Sequence, residues 1–286
     1  MVNFAKKNRY LSVPSSRIER LLKLGTMAVG ITGNMLVSAS SDMLIGKKRT
    51  IQDLLITNKN MKTLVNQLTE LRGAALKIGQ LLSLEGGDFL PQPIAEILME
   101  VRNQAYRMPP NQLRNVLADS LGDSFLSRFA TFDINPIAAA SIGQVHKCKT
   151  INNKTLAIKV QYPGIKKSID SDLKNMAFLL KNSGLLPMSV PLNELIEAAK
   201  NQLHQEVDYI AESQNLLKFS KLLKDDLDFD VPDLEPEFST KNTLAMDFKN
   251  GVTIDELISQ NQKKKNYVVE KLIALIFREI FEFNLV

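Results

Sequence analysis

The chain has 286 residues, 44% of them hydrophobic and 23% charged, a composition that belongs to a folded protein with a sizeable core and excludes a disordered chain. A net charge of +5 suits an anionic membrane surface or a nucleotide, whereas no basic helix with interleaved aromatics points to nucleic acid. The single cysteine, Cys148, excludes an intrachain disulfide, and the only two histidines, His146 and His204, lie too far apart in sequence to read as a His/Cys metal cluster.

The chain opens on Lys6, Lys7, Arg9, Arg17, Arg20 and Lys23 against one acid, Glu19. Residues 24–41 follow without a charge, a length at the lower edge for a membrane-spanning helix. Thr26, Gly30, Asn34 and Ser38 recur as a small or polar stripe suited to close helix packing. On the residues alone, a membrane helix and a buried soluble segment both stand. No A-x-A-like site follows, so a removable signal peptide is not expected.

Residues 60–84 give the clearest helix: Met61, Leu64, Leu68, Leu71, Ala75, Ile78 and Leu82 are spaced by threes and fours into one apolar seam. Gly73, Lys77, Gln80 and Leu84 form a second stripe, on which Lys77 and Gln80 point the same way and Gly73 and Gly79 permit close approach. On pattern alone, Lys77 and Gln80 read as solvent-facing. Residues 91–110 are a further helix ending at Met108, Pro109 and Pro110, and residues 112–129 another, broken at Gly122. Helical periodicity stops across 129–136, which sets a domain boundary there.

The central stretch, 137–164, reads IAAASIGQVHKCKTINNKTLAIKVQYPG. Against the kinase phosphate-loop pattern G-x-G-x-x-G-x-V, Gly143 and Val145 fall in register, while Ala138 and Ala140 take the first two glycine positions. Lys159 ends Leu156-Ala157-Ile158-Lys159, close to the V-A-I-K strand whose lysine faces nucleotide phosphates. Strand-like runs 142–149 and 155–161 flank a turn at Asn152, Asn153 and Lys154. Ala138, Ala139, Ala140, Ser141, Gly143, Val145 and Lys159 are therefore candidate nucleotide contacts. Alanines in place of glycines stiffen the loop, so altered phosphate placement is expected rather than an ordinary protein kinase.

Helix 165–182 follows, then one long helix over 192–223 with the stripe Leu192, Leu195, Ile196, Ala199 and Leu203. It carries Glu206, Asp208 and Glu212; in a continuous helix Asp208 and Glu212 share a face and Glu206 lies about 200° round from Asp208, so the acids should serve separate partners. Short strands are expected at 229–232 and 243–248. Asp247 and Phe248 open a hinge-like run whose main chain would meet an adenine edge. Residues 253–256 read as a capped helix start, and residues 267–286 as an apolar helix with Leu272, Ile273, Leu275, Ile276, Ile280 and Phe281.

AAASIGQVH followed by AIKVQYPG, the K-x-G-Q run inside RGAALKIGQLLS, and the E-x-D run in EVDYIAE together resemble the UbiB family of atypical kinase-like proteins, especially its coenzyme Q branch. The resemblance runs from about Val13 to the last residue. It implies an α+β fold: a kinase-like N-lobe of antiparallel sheet plus C-helix, preceded by a helical extension, with the C-lobe only begun. The expected segments are 1–46, basic and membrane-seeking; 47–128, the extension; 129–250, the N-lobe; and 251–286, the post-hinge helices. It implies that Lys159 and Glu212 pair as catalytic residues. It implies too that Lys77 and Gln80 lie over the pocket where a protein substrate would sit, with Glu206 and Asp208 receiving Lys77.

The implied function is an ATP- or ADP-binding kinase-like ATPase supporting ubiquinone biosynthesis. The alternatives are a protein kinase acting on partner proteins and a non-catalytic nucleotide or lipid regulator. Implied partners are a nucleotide, a membrane or quinone-pathway lipid and ubiquinone biosynthesis proteins; a homodimer is compatible, and nucleic acid is not expected. The implied location is the matrix side of a mitochondrial inner membrane or the cytoplasmic side of a bacterial one. The family's catalytic-loop aspartate and asparagine and its D-F-G aspartate do not occur in the 286 residues. The sequence as it stands is thus expected to bring no magnesium ligand and to turn over no ATP.

Overall fold

Helix α1 (Arg72–Glu85) and helix α2 (Pro110–Leu121) come first among the residues that the computed structural model describes, which are 65, 68, 71–85, 107–183 and 190–285. The uncharged run 24–41 and residues 91–106 of the next expected helix lie outside them. Helix α2 begins with proline at its first turn, where a missing N–H costs nothing, and stops at Gly122, whose φ of 90° only glycine adopts freely. A short 3₁₀ turn (Phe125–Arg128) leads into the sheet.

Strands β1 (Phe129–Phe132) and β2 (Ala138–Ala139) lie along one edge of β3 (Gly143–Thr150), followed by β4 (Thr155–Gln161) and β5 (Thr243–Asp247) in the order β1-β3-β4-β5, all antiparallel. The β3–β4 turn closes at Asn153, which sits at φ 69°, a conformation asparagine tolerates well. Cross-strand register fixes what shares a face: Ala138, Val145, Lys159 and Leu244 form one row, and Lys147, Ala157 and Met246 the next. The opposite face, with Gln144, His146, Cys148, Leu156, Ile158, Val160 and Ala245, is buried in one core with Leu113, Val116 and Leu117 of α2 and Phe125 and Phe129. One side of the sheet is therefore sealed and the other left for a site.

Helix α3 (Ile165–Ser183) and helix α4 (Leu192–Glu206) pack with α1 as a layer, joined by Ala75 and Ile78, Ile169 and Leu173, and Leu195, Ala199 and Leu203. The single helix expected over 192–223 is two: α4 ends at Glu206, and α5 (Tyr209–Leu222) starts anew. Asp208 causes the break, leaving helical geometry so that its carboxylate can accept the Ala211 N–H. The strand expected at 229–232 does not form; the chain instead makes a bridge at Leu234 to Met246 and a 3₁₀ turn (Pro236–Phe238). A 3₁₀ turn (Ile254–Ser259) precedes helix α6 (Gln262–Arg278), capped by Asn261, and a π-helical turn (Glu279–Phe283).

Helix α6 begins five residues earlier than the apolar pattern suggests and joins no core among the described residues: Ile273, Ile276, Phe277, Ile280 and Phe281 are exposed, and Leu272 and Leu275 half-buried. Ion pairs hold it to the segment after α5: Arg278 bonds Asp226 at 2.6 Å and Lys271 bonds Asp228 at 2.5 Å, with the Tyr267 hydroxyl donating to Asp228 as well. Lys249 bridges Asp230 at 2.8 Å and Asp247 at 3.0 Å.

Two outcomes follow from the sheet. A Cβ on Gly143 would stand 2.4 Å from the Val160 carbonyl oxygen, which is backbone and cannot swing away. Gly143→Ala should therefore destabilise by about 2 kcal/mol or more, read as a lower midpoint in urea unfolding. His146 is fully buried, its Nδ1 is 3.0 Å from the Asp133 carbonyl oxygen, and burial holds its pKa below 6.5. The unfolded chain then takes up a proton that the fold refuses, so this contribution is complete above pH 6.5 and is lost as pH falls below it. The thermal midpoint should drop between pH 7 and pH 5 (both set around that 6.5), with His146→Gln flattening the dependence.

Candidate functional site

Lys159 sits mid-strand in β4 on the unsealed face, its side chain one-fifth exposed. Its ammonium donates to both carboxylate oxygens of Glu212, at 2.9 and 3.1 Å, from the first turn of α5. Lysine is a point charge on a flexible stem, so this two-oxygen contact is what gives it a direction. Beneath it lies the Tyr209 ring, 4.9 Å from the nitrogen. Tyr209 is fully buried and its hydroxyl has no hydrogen-bond partner, while burial and the neighbouring Glu212 and Glu206 carboxylates hold the phenol well above its ordinary pKa.

Above the lysine strand, the alanine run is more ordered than an open phosphate loop. Ala138 and Ala139 pair with Val145 and Gln144, and the Ala140 N–H closes a turn on the Gly143 carbonyl at 2.9 Å. The Ile137 N–H is taken by Val145. Gly143 is required for close approach to Val160, a steric reason distinct from the freedom usually ascribed to phosphate-loop glycines. Ser141 donates its hydroxyl to Glu206 Oε2 at 2.6 Å.

That carboxylate is shared. The other oxygen of Glu206 accepts Lys77 of α1, whose side chain is mostly buried. Gly73, one turn earlier, brings α1 so close to the loop that a Cβ there would stand 3.2 Å from the Ser141 carbonyl oxygen. Lys77 is thus brought to the alanine loop and α4 at once, but not as expected in full: Asp208 is exposed and spent on capping α5, and Gln80 faces solvent. Asp208 and Glu212 remain one helical turn apart, the Glu212 N–H donating to the Asp208 carbonyl at 2.9 Å; the break instead separates Glu206, at the end of α4, from that pair.

Beyond Lys159 a cleft of about 550 Å³ opens between α5, β5 and the last residues, lined by Glu212, Leu216, Phe219, Leu244 and Met246. Directly after Met246, the Asp247 N–H donates to the Asp233 carbonyl at 3.0 Å and the Phe248 N–H to the Thr155 carbonyl at 2.9 Å. Those two amides are engaged by the sheet, the Asp247 side chain is held by Lys249 and the Asp233 N–H, and Lys147 lies 4.0 Å over the Phe248 ring. Among the described residues no group of three His, Cys, Asp or Glu side chains is arranged to hold a metal ion. Cys148 is buried, its thiol pushed up to about 12 by burial, and is chemically quiet.

Two contributors were not singled out from sequence. Tyr209 precedes Glu212 by three positions, a spacing that places both on one helical face and was legible in principle. Gln161, whose side chain donates to the Val207 carbonyl at 2.7 Å and so ties β4 to the α4–α5 break, left no such signal.

Residues 100–286 match the profile of the ABC1 atypical kinase-like domain. The chain is 41% identical over 96% of its length to a Saccharomyces cerevisiae protein named atypical kinase COQ8, mitochondrial, covering 54% of it. A Dictyostelium discoideum protein named probable serine/threonine-protein kinase abkA is 35% identical over 99% of the chain, which covers 53% of that protein. A solved Mycobacterium tuberculosis structure, Rv3197 with erythromycin, has a TM-score of 0.46 and 29% identity over 73% of this chain and 54% of that one. The chain spans about half the length of these curated relatives. With its antiparallel sheet, its strand lysine and its match over residues 100–286, the chain belongs to the UbiB/COQ8 family of ABC1 atypical kinase-like proteins.

Proposed function

We propose that this chain binds ADP or ATP on the unsealed face of the sheet, as the nucleotide-holding part of an atypical kinase-like ATPase that supports coenzyme Q biosynthesis. The observation that carries the reading is the Lys159–Glu212 pair, which holds a partly exposed ammonium on the same sheet face as the half-buried Val145, Ala157 and Met246. The residues suit such a ligand. Val145, Ala157 and Met246 offer an apolar floor to a base, and the lysine, with two N–H groups on Glu212, keeps a third for a phosphate oxygen. With the Asp247 and Phe248 amides in use, the base edge would be met by main chain further along the hinge, at residues 249–251.

Lys77, carried on α1 to Glu206 beside the loop, supports a site closed to protein substrates. The protein-kinase alternative draws support from the name of the Dictyostelium relative; phosphate transferred to a folded protein would favour it, and ATP hydrolysis without phosphoprotein would favour the ATPase. Relatives named as mitochondrial support a mitochondrial location; the matrix side of the inner membrane is the finer part of the proposal. No described helix is long and apolar enough to cross a membrane, so residues 24–41 carry the membrane proposal.

Titrating the protein with ADP and with ATP tests the reading. Lys159→Ala should raise both dissociation constants about tenfold or more, the value of a charge-assisted hydrogen bond to phosphate. Equal affinities for wild type and variant would end it. Separately, the chain should sediment with anionic liposomes and lose that property when residues 1–45 are removed; equal partitioning of both would argue for a buried segment.

A further inference from the structure

We infer that Tyr209 is the positioning residue for Lys159, its ring face acting as a shelf that holds the ammonium toward the phosphate space. The inference rests on the nucleotide reading above and adds a residue to it. Lys159 has two neighbours of opposite kind: the Glu212 carboxylate at 2.9 and 3.1 Å, and the Tyr209 ring centre at 4.9 Å. Both come from the first turn of α5, three residues apart, so one helix sets both contacts in a single placement.

The two neighbours act differently on a lysine that must also meet phosphate. A carboxylate consumes N–H donors: two of the three on this ammonium are already directed at Glu212. A second carboxylate would take the last one and oppose an incoming anion. An aromatic face attracts the cation through its quadrupole and takes no hydrogen bond, leaving the third donor for a ligand. A tyrosine also supplies a wall that an aliphatic residue would match in volume but not in charge distribution.

The tyrosine's own hydroxyl points to the ring as the working part. It is buried without a partner, an arrangement that costs stability and returns nothing to the hydrogen-bond network. Tyr209 is also 0% exposed, fixed by packing at the junction of α4 and α5, so its ring cannot drift from the lysine. Phenylalanine should therefore do all that tyrosine does here, while an aliphatic of similar size should not.

The test uses the full chain with its lysines reductively ¹³C-methylated, the Lys159 signal being assigned by its loss in Lys159→Arg. Wild type and Tyr209→Phe should both show Lys159 shifted upfield by the ring current, and the shift should vanish in Tyr209→Met and Tyr209→Leu. On the same proteins unmodified, the ADP dissociation constant should stay within about twofold in Tyr209→Phe and rise at least about fivefold in the Met and Leu variants. A Lys159 signal unshifted in wild type, a shift that survives Tyr209→Met, or a Met variant binding ADP as tightly as Tyr209→Phe would each overturn the inference. If the aliphatic variants fail to fold, wild type against Tyr209→Phe decides on the lysine signal. Failure of the wild-type chain to bind ADP would refute the nucleotide reading instead, and the ring-current shift would then decide alone whether Tyr209 holds the lysine.

Discussion

The half-buried carboxylate of Glu206 joins three parts of the chain that are far apart in sequence. It accepts Lys77 from α1 on one oxygen and the Ser141 hydroxyl from the alanine loop on the other, while itself ending α4. An anion withdrawn from water needs its lone pairs used, so removing either donor would leave the rest of the arrangement poorly compensated. The next residues extend the same junction. Val207 offers its carbonyl to Gln161, Asp208 restarts the helix, Tyr209 lies under Lys159, and Glu212 faces the same lysine. Seven consecutive positions thus reach the extension, the loop, the lysine strand and the cleft.

Much of this was readable from residue pattern. The alternation in 142–149 and 155–161 led to β3 (Gly143–Thr150) and β4, and the spacing from Val145 to Lys159 gave a cross-strand pair on one face. The α1 seam emerged because Ala75, Ile78 and Leu82 have one neighbour layer to meet. What escaped was decided by local hydrogen-bond competition. Asp208 lies in an otherwise helical run and breaks it, because its short side chain satisfies a backbone N–H better than another helical turn would. The apolar residues of 229–232 suggested a strand, but acidic neighbours Asp226, Asp228 and Asp230 are drawn to Arg278, Lys271 and Lys249 instead. That Ser141 would spend its hydroxyl on Glu206 left no trace, since a contact across 65 positions has no local signature.

The two kinds of ionic contact differ in setting. The Lys77 and Lys159 pairs lie in partly enclosed ground, where charge interactions are weakly screened. The Asp226, Asp228 and Asp230 contacts with α6 and Lys249 border solvent, and each is worth little alone. The carboxyls of Asp226 and Asp228 are nonetheless held below the usual range, the first by the Asp228 N–H and then Arg278, the second by Lys271 and Tyr267. Helix α6 is therefore attached to the sheet unit by charge more than by burial, in contrast to α1, which shares the apolar core.

The contact between Gly143 and Val160 removes a degree of freedom. Because Gly143 lies too near the Val160 carbonyl to admit any side chain, the trailing end of the alanine loop and the strand bearing Lys159 translate together or not at all. The leading end is tied as well: residues 137–139 bond to β3, and Ser141 is moored to Glu206. The loop is fastened at both ends to the sheet that carries the lysine, so a ligand entering between them meets a gap of set width.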